Sequence, residues 1–130
     1  MMPATEVATL RSRALIVDAD PALAALLEEW LADCGCSVAS GSSGGEAVPG
    51  TFDVIVLDVP YARRAGLEHV RRVALQHPGT PIIALSSSFF AGIDCTGAVA
   101  RSLGAASVLP KPLAREALTA AVRRLVESAA

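Results

Sequence analysis

The stretch that decides the fold is Val54-Ile55-Val56-Leu57-Asp58, in which an unbroken apolar run ends on a carboxylate. Four apolar residues in a row have the length of a strand, and they leave neither face of that strand for water. Strands that are apolar on both faces are typical of parallel sheets covered by helices on each side. We therefore predict a buried strand whose carboxyl end brings Asp58 to the edge of a sheet.

The same pattern recurs along the chain, with apolar runs that end on polar residues. Ala14-Leu15-Ile16-Val17 is followed by Asp18, and Pro81-Ile82-Ile83-Ala84-Leu85 is followed by Ser86. Besides 54–57, the predicted strands are 14–17, 37–40, 81–85 and 108–109. Five strands alternating with helical patterns predict an α/β fold with a five-stranded parallel sheet, doubly wound by right-handed crossovers.

Helices are predicted between these strands from capping residues and apolar spacing. Asp20-Pro21 has the N-cap and first-turn residues of a helix, and Gly35 is a suitable stop for it. One helical turn is expected at 46–48 before Pro49-Gly50. His69 and His77 are expected to face solvent on or after the third helix. The remaining helices are expected near 67–74, 96–103 and 113–125.

Length and composition limit the classes of protein that this chain can be. With 130 residues it fits one domain, and 52% hydrophobic against 18% charged residues excludes intrinsic disorder. The net charge of -2 disfavours direct nucleic-acid binding. Mean hydropathy is +0.48, yet no apolar run approaches the ~18 residues of a membrane span. We expect a cytoplasmic protein with no membrane contact, made of a flexible leader at 1–12 and one domain at 13–130.

Three cysteines, Cys34, Cys36 and Cys95, do not make a disulfide framework and suit a reducing compartment. Cys34-Gly35-Cys36 has the form of half a metal-binding clip, but no second Cys or His cluster follows it. The alternative interpretation is that these are buried small residues near a helix end.

The strand ends bring together the residue types of phosphoryl chemistry. Ligands bind at the carboxyl ends of strands in open parallel sheets, which selects Asp18, Asp58, Ser86 and Lys111. Two carboxylates that share a site repel each other unless one is protonated or a cation bridges them, and Mg²⁺ prefers oxygen ligands. A lysine and a hydroxyl beside them can stabilise an anion built on Asp58, since carboxylates act as covalent acceptors.

These motifs carry a family resemblance. The chain resembles the receiver domain of two-component response regulators, a flavodoxin-like (βα)5 fold, from about Arg13 to Ala130. The matching stretches are Leu15-Ile16-Val17-Asp18 with Pro21, Val54-Ile55-Val56-Leu57-Asp58 with Gly66-Leu67, Pro81-Ile82-Ile83-Ala84-Leu85-Ser86, Leu103-Gly104-Ala105 and Lys111-Pro112.

The resemblance implies a role for each matching residue. Asp58 would accept the phosphoryl group from a histidine kinase or phosphotransfer protein, Lys111 would pair with the phosphoryl oxygens, and Ser86 would be the switch hydroxyl. Asp18, Asp58 and the carbonyl of Pro60 would hold Mg²⁺. The output would be a change in a protein-binding face that contacts a downstream protein partner, with a homodimer as one possible assembly.

The sequence departs from the family pattern at several positions. Ala19 replaces the second acid after the first strand, so weak Mg²⁺ binding is expected unless Asp20, whose simpler role is to cap the helix, takes its place. Val108 replaces the usual switch aromatic. Arg63 and Arg64 bring positive charge into the loop after Asp58, either toward the acidic pocket or into solvent. Phe89-Phe90 would either anchor a partner or belong to the core.

Three functions remain open at this point. The first is a phosphoacceptor receiver domain, free-standing or cut from a longer regulator, which signals through a protein-binding face and is not an enzyme. The second is a pseudo-receiver, which keeps the fold as a phosphorylation-independent interaction module. The third is a small α/β enzyme that uses the same carboxylates, but the sequence offers no obvious nucleophile or base for it.

Overall fold

The computed structural model describes residues 12–59, 64–89 and 93–129 of the chain. These residues form five strands and four helices, with a helix after every strand except the second. The strands are β1 (Ser12–Val17), β2 (Cys36–Gly41), β3 (Val54–Asp58), β4 (Ile82–Ser86) and β5 (Ser107–Pro110). The helices are α1 (Pro21–Asp33), α2 (Arg64–Gln76), α3 (Ala98–Leu103) and α4 (Arg115–Ala129).

All strands pair in parallel, in the order β2-β1-β3-β4-β5. Strand β3 is therefore the middle of the sheet. Val17 on β1 pairs with Leu57 on β3, so Asp18 and Asp58 both come directly after one register pair. Ser86 pairs with Pro110, which brings Lys111 to the same carboxyl edge. The fold class predicted from the sequence is confirmed.

Two apolar layers, one on each face of the sheet, explain why the strands are apolar throughout. On one face α2 and α3 bury residues such as Val70 and Leu103 against Leu15 and Leu57. On the other face α1 and α4 bury Leu27, Leu31, Leu118 and Val122 against the alternate strand residues. Because successive strand residues point to opposite faces, each face of β3 needs its own apolar residues.

Helix α1 begins as its sequence predicts. Asp20 is the N-cap, its carboxylate accepts the backbone N–H of Leu23 at 2.9 Å, and Pro21 is the first helical residue. The side chain of Asp20 is therefore engaged in capping, the simpler of its two expected roles. Gly104 ends α3 with φ 78°, a left-handed conformation that glycine adopts without steric cost.

The helical turn expected at 46–48 was wrong, because residues 42–53 form no helix between β2 and β3. Three residues before Pro49-Gly50 are too few to nucleate a helix in water. Instead this loop contacts the sheet through Val48, which packs against the core at Gly41 and Leu15.

The chain boundaries differ slightly from expectation. Strand β1 begins at Ser12, the last residue of the expected leader, while 1–11 lie outside the described residues and the leader stays a prediction. Within the described ranges, no helix combines the length and apolar character that crossing a bilayer requires.

We predict that Gly41→Ala destabilises the protein by about 1–3 kcal/mol, because overpacking forces neighbouring groups to move. A Cβ at Gly41 would lie 2.5 Å from Cγ2 of Val48. Urea unfolding of the wild type, both single variants and the Gly41→Ala, Val48→Ala pair measures the coupling between the two positions. The cost of Gly41→Ala should fall by more than half in the Val48→Ala background, and an equal cost in both backgrounds would contradict this packing.

Candidate functional site

Asp58 and Lys111 form an ion pair at the carboxyl edge of the sheet. The Lys111 Nζ lies 2.8 Å from Asp58 Oδ1, and the two side chains are only 29% and 18% exposed. Lys111 is held there because its backbone N–H donates to the carbonyl oxygen of Ser86 at 3.2 Å, which extends the pairing of β4 and β5. The structure thus brings together two of the residues predicted from the sequence.

The contact to Lys111 has the distance of an ion pair but not the angles of a hydrogen bond. Asp58 Oδ1 is buried, and no residue in the described ranges donates a hydrogen bond to it. The interaction at 2.8 Å is therefore electrostatic, since the attraction between two charges does not depend on a bond angle. A buried carboxylate oxygen without a hydrogen-bond donor is uncommon in folded proteins, and this makes Asp58 a candidate for a functional residue.

Ser86 is fully buried beside this pair. Its Oγ accepts the backbone N–H of Ser88 at 3.0 Å, and its carbonyl oxygen accepts the N–H of Phe89 as well as that of Lys111. Asp58 pairs in register with Leu85, so Ser86 is one residue beyond the Asp58 level on the adjacent strand. The Ser86 hydroxyl therefore lies at the carboxyl edge of the sheet, as predicted. Its hydrogen-bond partner is Ser88 in the β4–α3 loop and not Asp58.

Asp18 has different partners from those expected. Its backbone, with φ 63°, is left-handed, a conformation that aspartate tolerates better than most residues. Its N–H donates to the carbonyl oxygen of Gly41, which continues the pairing with β2. The side chain therefore meets Ser43, just after β2, while Asp58 meets Lys111, just after β5 at the other edge of the sheet.

Both oxygens of Asp18 are engaged. Oδ1 accepts the backbone N–H of Ser43 at 3.0 Å, and Oδ2 accepts the Ser43 hydroxyl at 2.5 Å. His69 Nε2 lies 2.5 Å from the same Oδ2 and 3.0 Å from Ser43 Oγ. Burial alone raises the pKa of Asp18, but the hydrogen bonds from Ser43 and His69 outweigh it and leave the pKa below its ordinary value.

The prediction that His69 and His77 face solvent was wrong. The His69 side chain is 15% exposed and contacts Asp18, and His77 is buried with its ring edge-on to Phe52. For His77 the signal was available in the spacing of the helical pattern. Gly66, Val70, Val73 and His77 follow one another at steps of four, three and four, which is the buried stripe of a helix.

Asp18, Ser43 and His69 have the residue types of a hydrolase triad but not its arrangement. In such a triad the histidine uses one ring nitrogen for the serine and the other for the aspartate. Here His69 uses Nε2 for both contacts. This cluster therefore does not provide the proton relay that the third function, a small enzyme, would need.

As arranged, these residues do not fit a Mg²⁺ ion. The Ala19 side chain offers no ligand atom, both oxygens of Asp18 already accept hydrogen bonds, and Asp58 is paired with Lys111. In the ranges that the structure describes, no group of three or more His, Cys, Asp or Glu side chains comes together as a metal site. The predicted ligand Pro60 and the loop residue Arg63 lie outside the described residues, as does Phe90.

Phe89 and Val108 both belong to the core layer between the sheet and helices α2 and α3. Phe89 is buried in the core layer under α2 and α3, which favours the core interpretation for this residue. Val108 is fully buried in the same layer, so β5 presents there a side chain too small and too enclosed to swing outward.

A family model, the response regulator receiver domain, matches residues 14–123. The chain belongs to the response regulator receiver domain family. It is 35% identical over 123 residues to the response regulator MprA of Mycobacterium sp. (strain KMS), covering 88% of this chain and 50% of MprA.

Further relatives show the breadth of the receiver domain family. Protein-glutamate methylesterase/protein-glutamine glutaminase 3 of Hahella chejuensis is 34% identical over 103 residues, which is 75% of this chain and 29% of that protein. This chain therefore spans half or less of the length of these two relatives. The solved receiver domain of the sensor histidine kinase PA1611 from Pseudomonas aeruginosa has the same fold, with a TM-score of 0.65 and 22% identity over 89% of this chain and 98% of that one. That structure has a magnesium ion coordinated in its active-site cleft.

The cysteines of this receiver domain are free, with Cys36 buried and Cys34 and Cys95 partly buried. The Cys34 thiol contacts the Thr119 hydroxyl oxygen at 3.8 Å, and the described residues hold no metal cluster around it. Burial, with smaller effects of Cys34 and Asp53, raises the pKa of Cys36 from 9.0 to about 11.

We therefore predict that Cys36 reacts slowly with iodoacetamide at neutral pH, since the thiolate is the nucleophile. In a Cys34→Ser, Cys95→Ser variant, which keeps the burial of Cys36, the alkylation rate should still be rising as pH passes through 9 and 10. Mass spectrometry follows the reaction, with the urea-unfolded variant as control. A rate that levels off near pH 9 in the folded protein would contradict the raised pKa.

Proposed function

We propose that this receiver domain accepts a phosphoryl group on Asp58 and passes the signal to another protein. The observation that carries the proposal is the Asp58 carboxylate at the end of the middle strand, with Oδ1 2.8 Å from the Lys111 ammonium. Receiver domains interact with histidine kinases or phosphotransfer proteins, and we infer such a donor here.

The transfer would join an Asp58 carboxylate oxygen to phosphorus as the P–N bond of the donor phosphohistidine breaks. The electron pair of that bond stays on the donor imidazole nitrogen, and the product is an acyl phosphate on Asp58. Phosphoryl transfer depends mainly on positioning and on neutralising charge on the transferred oxygens. Lys111 supplies a fixed positive charge next to the acceptor oxygen, and the strand end holds the acceptor in place.

Ser86 would respond to the new group. Its Oγ now accepts the N–H of Ser88, and its own hydroxyl hydrogen is free to turn toward an acceptor. A phosphoryl group on Asp58 would add strong acceptor oxygens one strand away. If the hydroxyl rotates toward them, the turn after β4 changes its contacts, and that turn leads into the segment before α3. With Val108 in place of an aromatic residue, this hydroxyl is the switch element that the described site offers.

The first test is phosphorylation of the whole chain with acetyl phosphate, in parallel samples with Mg²⁺ and with EDTA, read by intact mass. We expect a mass gain of one phosphoryl group that is lost in Asp58→Asn. Asp33→Asn is the matched control, because Asp33 also pairs with a cation at 2.8 Å, Arg115, but on the exposed surface. No gain with acetyl phosphate or phosphoramidate, or a gain that survives Asp58→Asn, would contradict the proposal. An unmodified but correctly folded chain would favour the pseudo-receiver.

The second test removes the positive charge. Lys111→Met should slow the gain of the phosphoryl group about 100-fold, since it removes a preorganised charge from the transferred oxygens. Arg115→Met is the control, because it breaks the exposed pair with Asp33 and should leave the rate unchanged. Equal rates for Lys111→Met and wild type would show that Lys111 does not act on the phosphoryl group.

The sequence offers a direct probe of the same pair. Lys111 is the only lysine in the chain. Reductive methylation with ¹³C-formaldehyde therefore labels its side chain and the terminal amine alone. The Lys111 methyl resonance should shift when Asp58 is phosphorylated and should sit at a new position in Asp58→Asn.

A further inference from the structure

The Asp18 side chain is held by the first residues of the loop between β2 and β3. Residues 42–45 pass over the carboxyl edge of the sheet, and Ser43, itself buried, binds both oxygens of Asp18. Helix α2 adds His69, which contacts Asp18 and Ser43 together. We call the three residues Asp18, Ser43 and His69 the latch.

The loop is attached to α2 at a second point. The side-chain amide of Gln76 donates to the carbonyl oxygens of Ser43 at 3.3 Å and Gly45 at 3.2 Å. Gln76 is seven residues after His69, so both side chains leave the same face of α2. The latch and this tether together fix the loop between β1 and α2.

A magnesium ion would compete with the latch for the same atoms. Mg²⁺ binds oxygen at about 2.0–2.1 Å and demands octahedral geometry. Ser43 Oγ and His69 Nε2, each 2.5 Å from Asp18 Oδ2, fill the two acceptor sites of that oxygen, and the Ser43 N–H takes one of the two at Oδ1. Since Ala19 provides no alternative carboxylate, a cation that binds Asp18 at this corner competes with the latch for it.

We propose that the latch withholds Asp18 from divalent cations, so that the 42–45 loop must leave Asp18 before Mg²⁺ can bind. Ser43 and His69 are then positioning residues that control the availability of a carboxylate. The linkage is reciprocal: breaking the latch strengthens Mg²⁺ binding, and Mg²⁺ binding frees the loop. The proposal concerns metal binding alone, and it stands or falls independently of whether Asp58 accepts a phosphoryl group.

The decisive experiment measures Mg²⁺ affinity of the whole chain by calorimetry. Ser43→Ala removes one donor and leaves the Ser43 backbone N–H in place, and His69→Ala removes the ring. Each variant should bind Mg²⁺ about tenfold more tightly than wild type, the effect of one hydrogen bond that no longer competes. Ser42→Ala is the matched control, because its hydroxyl accepts from Gly44 N and does not touch Asp18.

The same comparison is made in an Ala19→Asp background, which adds a carboxylate and brings the affinity into a measurable range. Circular dichroism verifies folding, and if His69→Ala does not fold, Ser43→Ala decides. An affinity equal to that of the parent in Ser43→Ala, in both backgrounds, would overturn the proposal. So would an equal gain in Ser42→Ala.

Hydrogen exchange provides a readout that a purely local effect on the metal site would not move. In the Ala19→Asp protein, saturating Mg²⁺ should accelerate exchange of the Ser43 amide, since that N–H loses Asp18 Oδ1 as its acceptor. The amide of Leu27, in the buried part of α1, should not change. Undiminished protection of Ser43 at saturating Mg²⁺ would overturn the proposal.

Discussion

The structure depends on one constraint, that β3 is buried on both faces and can present a charge only where it ends. Every residue of β3 before Asp58 is fully buried, and Asp58 is the first one that reaches the edge. A carboxylate there is partly desolvated, and such a charge requires a partner. The backbone hydrogen bond from Lys111 N–H to the Ser86 carbonyl oxygen positions that partner, Lys111. The register of the sheet therefore determines which charges meet at the site.

The two strand-end acids are balanced separately. Parallel pairing brings Asp18 and Asp58 to the same level on neighbouring strands, where two bare carboxylates would repel each other. Asp58 is neutralised by Lys111 from the β5 side, and Asp18 is stabilised by hydrogen bonds from Ser43 and His69 on the β2 side. Both carboxylates of the described corner thus have partners among its own side chains, and a cation has to compete with contacts that already exist.

The parts of this arrangement that could be predicted from sequence are those set by local pattern. Apolar runs such as 54–57 fixed the strands and their order along the chain, because a doubly buried strand has no other pattern. The pairing of Asp58 with Lys111 followed from the rule that strand ends meet at one edge. The partners of Asp18 could not be predicted in this way. They depend on the path of the loop at 42–45, which no local pattern specifies, and on His69, which pattern alone assigns to solvent.

The departures from the family pattern around Asp18 all weaken the reasons for a cation to bind next to Asp58. Ala19 removes a negative charge from the corner, which lowers the repulsion that a metal would otherwise relieve. The loop that stands where a helical turn was expected is short enough to lie against Asp18, and Gly41 leaves room for Val48 to hold that loop on the sheet. A bulkier residue at Gly41 would push Val48 away and loosen the contact of the loop with the sheet. Three features therefore reduce the charge repulsion that a cation next to Asp58 would relieve. They are the missing acid at Ala19, the loop that contacts Asp18, and the small residue Gly41 on which that loop packs.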